Sequence, residues 1–182
     1  MLIFVTGVAG SGKSSLCAAL LARGEDAHDA DEGISGHYPR AGGGRVTPPP
    51  RSGQTAGWAA AHEYRFDLGR VRGLASAAAG QRVFLLGAAY GDDEVVSIAD
   101  RSFYLDVGER ELRRRLAARG PAGYGSAPHE LDSILAWHAL ASRRYEALGA
   151  ARLDGEAPAA DIAAALLSST GQTLRSGGPK VV

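Results

Sequence analysis

The chain has 182 residues, balances 20 basic against 20 acidic side chains, and is 45% apolar. That length holds one well-cored domain, and zero net charge leaves no basic footprint for nucleic acid. A single cysteine, Cys17, excludes an internal disulfide framework and a multi-cysteine metal centre, and no apolar run approaches the roughly 20 residues needed to cross a bilayer.

Residues 1–6 form a continuous apolar run with no basic segment before it. It predicts a strand buried on both faces, not a secretory signal, and a cytoplasmic location follows as the expectation. A glycine-rich turn fills 7–12, and a helix over 13–23 ends at Gly24. A second strand over 26–31 closes on acidic residues, and 32–38 fit no single pattern. Residues 39–57 hold three consecutive prolines and a glycine triplet, which forbid regular structure and suggest a functional flap. Apolar residues at Ala61, Tyr64, Leu68, Val71, Ala75 and Ala78 recur at helical steps and suggest one helix over 58–79.

A third strand follows over 81–86, a short helix over 92–99, a fourth strand over 102–107 and a helix over 109–119. A second glycine-rich loop spans 120–128, then a helix over 130–148, a minimal strand over 151–153 and a last helix over 159–168. Residues 170–182 read as a flexible tail. Short apolar strands alternating with helices predict a three-layer αβα sandwich around a five-stranded parallel sheet, in a single domain over 1–169. Ligands of such sheets bind at the carboxyl ends of the strands, so the turns after the first three strands are where chemistry is expected.

The first of those turns, Gly7-Val8-Ala9-Gly10-Ser11-Gly12-Lys13-Ser14, matches G-x-x-x-x-G-K-[ST] and sits between a strand and a helix as that motif requires. Glycines let the backbone turn sharply and aim successive N–H groups into one concavity, and the positive end of the following helix adds to the anion site. Lys13 is positioned to reach terminal phosphates and the Ser14 hydroxyl to ligate Mg²⁺, with Ser15 beside it. Only Lys13 and Lys180 are lysines in an arginine-rich chain, so a lysine at this place stands out. The spacing is not G-x-G-x-x-G, which argues against a dinucleotide site.

With this cradle, the order of motifs over residues 1–168 resembles the small P-loop kinases, the shikimate kinase and adenylate kinase-like group. The resemblance implies ATP and Mg²⁺ as cofactors and a small-molecule acceptor: the hydroxyl of a metabolite, a nucleoside or nucleotide, or an antibiotic. It implies no nucleic-acid or membrane partner, and a monomer or homodimer. Asp29 and Asp31 end the second strand and resemble the Asp-x-Asp of shikimate kinases. That likeness makes Asp29 the metal-side carboxylate and Asp31 the acceptor ligand and possible base. Gly87 after the third strand keeps one glycine of the run that touches the acceptor in that family. Arg65 and Asp67 are weaker candidates for the same side, on the helix expected there.

Two arginines four residues apart, Arg115 and Arg119, resemble those flanking an adenylate-kinase lid. By that likeness Arg115 would stack on adenine and Arg119 would meet the phosphates, with 120–128 as the lid. The flap arginines Arg40, Arg45 and Arg51 could grip an anionic acceptor, and Arg143 and Arg144 fall near a substrate-binding arginine of related kinases. His138 reads as a packed core histidine. His62-Glu63 begins like a zinc motif, but position 66 is Phe. A nucleotide hydrolase or ATP-gated binding protein remains the alternative. It is disfavoured by the absence of an acidic residue ending the third strand and of N-K-x-D.

Overall fold

The computed structural model of the protein describes residues 1–121 and 123–171. The elements in chain order are β1 (Leu2–Thr6), α1 (Lys13–Leu21), β2 (Asp26–Asp29), β3 (Ser35–Pro39), α2 (Ala56–Ala61), β4 (His62–Phe66), α3 (Leu68–Ala77), β5 (Val83–Leu86), α4 (Asp92–Ile98), β6 (Arg101–Asp106), α5 (Glu109–Ala118), α6 (Pro128–Ala147), β7 (Ala151–Asp154) and α7 (Ala159–Gly171).

Every side chain of β1 is buried, and its pleat divides them between two cores. Ile3 and Val5 pack with Leu16 and Leu20 of α1 and Ile162 and Leu166 of α7. Leu2 and Phe4 point the other way, toward Val71 of α3 and Val95 of α4. A third apolar cluster joins Val8 to Tyr104, Leu112 and Leu116 and to Ile134 and Tyr145 of α6. Helices thus cover both faces of a sheet whose order is β2-β5-β1-β6-β7, all pairs parallel. The chain leaves β1 for one side of the sheet and later returns to the other. The reversal opens a crevice at the carboxyl end of β1, beside the glycine-rich turn. No helix among the described residues is long and apolar enough to cross a membrane.

The expected helix over 58–79 is interrupted: 58–61 are helical as the end of α2, but 62–66 are a strand before α3 begins at Leu68. Residues His62–Phe66 pair antiparallel with Ser35–Pro39, from Ser35 opposite Phe66 to Pro39 opposite His62, as a separate two-stranded ribbon. Tyr64 and Phe66 alternate with polar residues, a period-two pattern that fits the ribbon as well as their spacing fits a helix. The break falls at Asp67, whose carboxylate accepts from the Gly69 and Arg70 amides (3.0 and 3.2 Å) and caps α3. From Leu68 onward the helical spacing holds, with Val71 and Ala78 buried. Of the segment over 32–38, residues 32–34 form a turn and only the part from Ser35 takes strand form, from the same pairing.

The ribbon is fastened to the main sheet. Tyr90, just past β5, donates its amide to Tyr64 O and accepts from the Phe66 amide (2.9 and 3.1 Å). The Phe66 ring meets Phe4 edge-on at 5.7 Å. The flap is not wholly irregular either: Val46 bridges to His37, and α2 starts at Ala56, capped by Thr55. At the other end α7 extends to Gly171 with Thr170 buried. The expected tail therefore starts no earlier than residue 172, outside the described residues.

Candidate functional site

The turn after β1 closes on itself. The Ser11 amide donates to Val8 O (3.1 Å) and the Leu16 amide to Gly12 O (2.9 Å), while the described residues supply no acceptor for the amides of Gly12, Lys13 and Ser14. Its outer side is glued to α5. Val8 is buried against Leu112 and Leu116, and a Cβ on Gly10 (φ +92°) would stand 2.8 Å from Leu112 Cδ1. A Cβ on Gly7 (φ +149°) would meet Ser11 Oγ at 2.7 Å and Leu105 O at 3.0 Å. Only glycine fits these two places. Ser11 is fully buried, and its hydroxyl has no hydrogen-bond partner among the described residues. Ala9 packs at the edge of the third cluster and Ser15 is exposed.

Lys13 lies half-buried over this turn. Its ammonium donates to Gly7 O at 2.6 Å and Val8 O at 3.0 Å. Burial pulls it down to about 8, against the opposing pull of Asp31 and Asp29, while Arg119 pushes in the same direction as burial. Lys13 therefore lies within electrostatic range of both carboxylates and of one arginine beyond α5.

From the cradle a line of hydrogen bonds runs outward. Ser14 Oγ donates to Asp29 Oδ2 (2.7 Å), the Asp31 amide donates to Asp29 Oδ1 (3.1 Å), and the Tyr64 hydroxyl donates to Asp31 Oδ1 (2.6 Å). Asp29 is the last residue of β2, but Asp31 lies in the turn after it, so the strand expected over 26–31 is shorter by two residues. Burial and the neighbouring Asp31 push the Tyr64 phenol up, so it stays protonated and donating. Asp31 Oδ2 makes no hydrogen bond among the described residues.

Tyr64 escapes sequence reasoning because the helical reading of 58–79 places it in a core. The signal that could have found it is the aromatic alternation in His62–Phe66 ahead of a capping Asp67. On the same ribbon face three more rings gather. Trp58 stacks on His62 at 4.4 Å and meets His37 edge-on at 4.7 Å, and His37 lies 4.9 Å from Tyr64. Burial, with His62 and Arg45 nearby, holds the His37 imidazole below its usual range, so it is neutral at pH 7.

Arg65 is on β4, not on a helix, and it occupies the ribbon face opposite Tyr64. There its guanidinium lies 4.1 Å from the Tyr38 ring and 3.5 Å from Glu63. Gly87 has a packing reason of its own: a Cβ there would collide with the Ala30 methyl group and press on the Phe66 ring. Its amide is already used, donating to Val5 O at 3.1 Å. Asp67 is spent on capping.

Arg115 does not lie open for stacking. Glu111 accepts from its Nε at 2.7 Å, and its Nη1 donates to the cradle carbonyl of Ser11 at 3.1 Å. Arg114 and Arg115 together hold the Glu111 carboxyl down to about 2. Arg119 is exposed and reaches Tyr124 O at 3.4 Å.

Of the flap arginines, Arg51 has the most definite partner. Its guanidinium donates to both oxygens of buried Glu130 (2.6 and 2.7 Å) and to Gly123 O (3.2 Å), and lies 5.9 Å from the Tyr124 ring. Glu130 also accepts from the Gly125 and Ala127 amides (2.9 and 3.4 Å). Burial pushes this carboxyl up, but Arg51 and the two amides outweigh it and leave it below the ordinary range. Arg40 faces Glu63 and Tyr90, and Arg45 donates to Gly33 O at 2.9 Å.

Arg144 is structural. It pairs at 2.7 Å with Asp92, a carboxylate only 1% exposed that also accepts from Tyr145 (2.6 Å); Tyr145 in turn accepts from Thr6 at 3.1 Å. Arg143 is exposed. His138 is half-buried and donates to Val107 O at 2.7 Å.

No group of three metal-ligating side chains exists among the described residues. A hydroxyl and a carboxylate in contact, Ser14 and Asp29, nonetheless form the all-oxygen donor set that suits Mg²⁺. That ion takes few protein ligands and completes its shell with water and phosphate oxygens.

A parallel sheet in this order, wrapped by helices and with β1 ending in a glycine-rich turn, is the P-loop α/β fold of the shikimate and nucleoside kinase type. Solved structures that share it include small P-loop kinases. Shikimate kinase from Aquifex aeolicus vf5 is 17% identical, with 97% of this chain and 100% of that one covered, at a TM-score of 0.60. A gluconokinase from Sinorhizobium meliloti 1021 is 21% identical over 94% of both chains (TM-score 0.52). Deoxyadenosine kinase from M. mycoides with bound dATP is 12% identical over 94% of this chain and 100% of that one (TM-score 0.53). At these identities the likeness establishes the fold. No family model matches the sequence, and no curated protein sequence is significantly similar to it.

Proposed function

We propose that the protein is an ATP-dependent kinase that transfers the γ-phosphoryl group of ATP to a hydroxyl of a small-molecule acceptor. The observation that carries this reading is the unbroken line Ser14–Asp29–Asp31–Tyr64, which joins a phosphate cradle to a carboxylate oxygen free to receive a proton. A hydrolase needs only a water-activating group; an acidic residue backed by a tyrosine on a separate ribbon suits an organic hydroxyl better.

In this reading the cradle amides of Gly12, Lys13 and Ser14 and the Ser11 hydroxyl bind phosphate oxygens, with Gly7 and Gly10 shaping the turn. Lys13 leaves the Gly7 and Val8 carbonyls and pairs with the transferring phosphoryl group, and Arg119 adds a second cation from the lid side. Ser14 and Asp29 would hold Mg²⁺, which when bound supplies charge neutralisation between the outer phosphates. Asp31 Oδ2 orients the acceptor hydroxyl and takes its proton as the oxygen bonds to phosphorus. The bond from that phosphorus to the bridging oxygen breaks, and ADP departs. Tyr64 holds Asp31 in place.

The test is a screen of hydroxyl-bearing metabolites, nucleosides and antibiotics with Mg·ATP, read by ADP release and by product mass. A product heavier by one phosphoryl group supports the proposal. Slow ATP hydrolysis indifferent to every acceptor, with no phosphorylated product, would replace it with a hydrolase.

A further inference from the structure

The flap is built from mechanically different pieces. Residues 42–44 are three exposed glycines with no side chains to pack, the freest backbone the chain has. Val46 then joins the ribbon, its amide donating to His37 O at 2.8 Å. Pro48, Pro49 and Pro50 follow. Three fixed φ angles hold such a run extended, at about 3.1 Å per residue, and Pro50 (φ −49°, ψ 154°) is close to that form. Gln54 closes the far end, donating to Pro49 O (2.9 Å) and accepting from Arg51 (3.3 Å).

Arg51 ends on the lid side, not on the ribbon. Glu130 accepts its fork and also the Gly125 and Ala127 amides, so one buried carboxylate holds the flap and the back of the lid loop together. A bidentate pair is directional, and turning the guanidinium would break both bonds at once. The Arg51 bond to Gly123 O grips a residue that rests on Arg119. A Cβ on Gly123 would stand 2.6 Å from Arg119 Cβ, and Arg119 itself donates to Tyr124 O. At the ribbon end, the His37 ring that follows Val46 lies 4.9 Å from Tyr64, which holds Asp31. One stiff segment therefore connects the surroundings of Arg119 to those of Asp31.

We infer that the flap is a strap coupling the lid to the ribbon. Arg51 and Glu130 are positioning residues, through which displacement of Arg119 passes along Pro48, Pro49 and Pro50 to the Tyr64–Asp31 pair. Residues 42–44 are the pivot. This rests on the proposed kinase reading and names how its nucleotide and acceptor sides are regulated together.

The coupling is read by amide exchange in the full chain. In ligand-free protein, Glu130→Gln keeps an acceptor for the Gly125 amide but removes the charge that holds Arg51. It should speed exchange of the Val46 amide about fivefold or more. In a background with Pro48, Pro49 and Pro50 replaced by glycine, which leaves Arg51 and Glu130 in place, Glu130→Gln should add nothing at Val46. Mg²⁺ with a non-hydrolysable ATP analogue should slow exchange at Val46 and across β3 and β4 by about fivefold. Arg51→Ala and the glycine strut should each abolish that slowing while affinity for the analogue, by calorimetry, stays within about threefold. Arg51→Lys, which keeps the charge and loses the fork, should retain part of it.

Val46 exchange indifferent to Glu130→Gln, or nucleotide protection of the ribbon that survives both Arg51→Ala and the glycine strut, overturns the inference. A latch that only stabilises the fold would give the second result, with a lower urea midpoint and an unchanged effect of nucleotide. Failure of the analogue to bind removes the kinase reading instead, and the ligand-free comparison alone then decides the strap.

Discussion

The cradle and the ribbon meet at Asp29 and Asp31, and they are made of different parts of the polypeptide. The cradle is contiguous, eight residues whose main-chain amides form the proposed binding surface and whose glycines keep it open. The ribbon joins residues 35–39 to 62–66 across the flap, and the face it turns to Asp31 is side chain: the His37 and His62 rings and the Tyr64 phenol. A backbone surface tolerates most side-chain changes and fails when a Cβ intrudes. A side-chain surface tolerates small backbone shifts and fails when one ring or charge is removed. In the proposed kinase, the first would suit a constant ligand such as polyphosphate, and the second could be altered residue by residue to suit a particular acceptor.

Lys13 gives the cradle a side-chain charge that the backbone amides do not replace. Lys13→Ala should lower the transfer rate by about 10³-fold with the circular dichroism spectrum unchanged. Retained turnover would mean that the cradle is misassigned. On the ribbon side, Asp31→Asn should lower kcat/KM for the acceptor by about 10²-fold or more. Affinity for ATP should move only a few-fold, and equal losses in both would erase the division of labour between the two regions.

The flap that carries the ribbon's connection is fixed by Arg51 and Glu130. Arg51→Ala strands a buried carboxylate with only two amides and should cost about 2–3 kcal/mol in urea unfolding, less than a fully buried pair because Arg51 is partly exposed. A change below about 0.5 kcal/mol would show that the contact is a surface one. The last expectation concerns pH. The Lys13 ammonium is depressed to about 8 in the free protein. The cradle is fully cationic below that pH and loses charge above it, whereas bound phosphate favours the protonated form. Affinity for the ATP analogue should thus fall by up to about tenfold per pH unit above 8, with proton uptake on binding seen by calorimetry in buffers of different ionisation enthalpy. A flat profile to pH 9.5 would place Lys13 outside the phosphate site.

The same contrast governs how far the sequence could be read. The sheet, its helices and the cradle follow from local patterns: apolar runs, helical steps and one glycine spacing with a lysine at its end. The αβα architecture emerges from these without any long-range information. The ribbon does not, because Tyr64 and Phe66 fit helical and strand periods alike, and only pairing with Ser35–Pro39 decides between them. The gathering of Trp58, His37 and Tyr64 is hidden for the same reason. Arginine contacts were illegible too. Nothing local tells Arg51 to seek Glu130 or Arg144 to seek Asp92, and in an arginine-rich chain each could equally be a surface charge.

The buried Asp92 carboxylate collects hydrogen bonds from Arg144 and Tyr145, and Tyr145 in turn receives one from Thr6, the residue immediately before the cradle. The root of the glycine-rich turn is thereby moored to a helix more than a hundred residues further along the chain. Stiffening of the loop by a ligand would be transmitted along these hydroxyls into the interior of α6, where slowed amide exchange would register it. Drift at position 144 or 145 could blunt turnover while leaving every ligand contact intact.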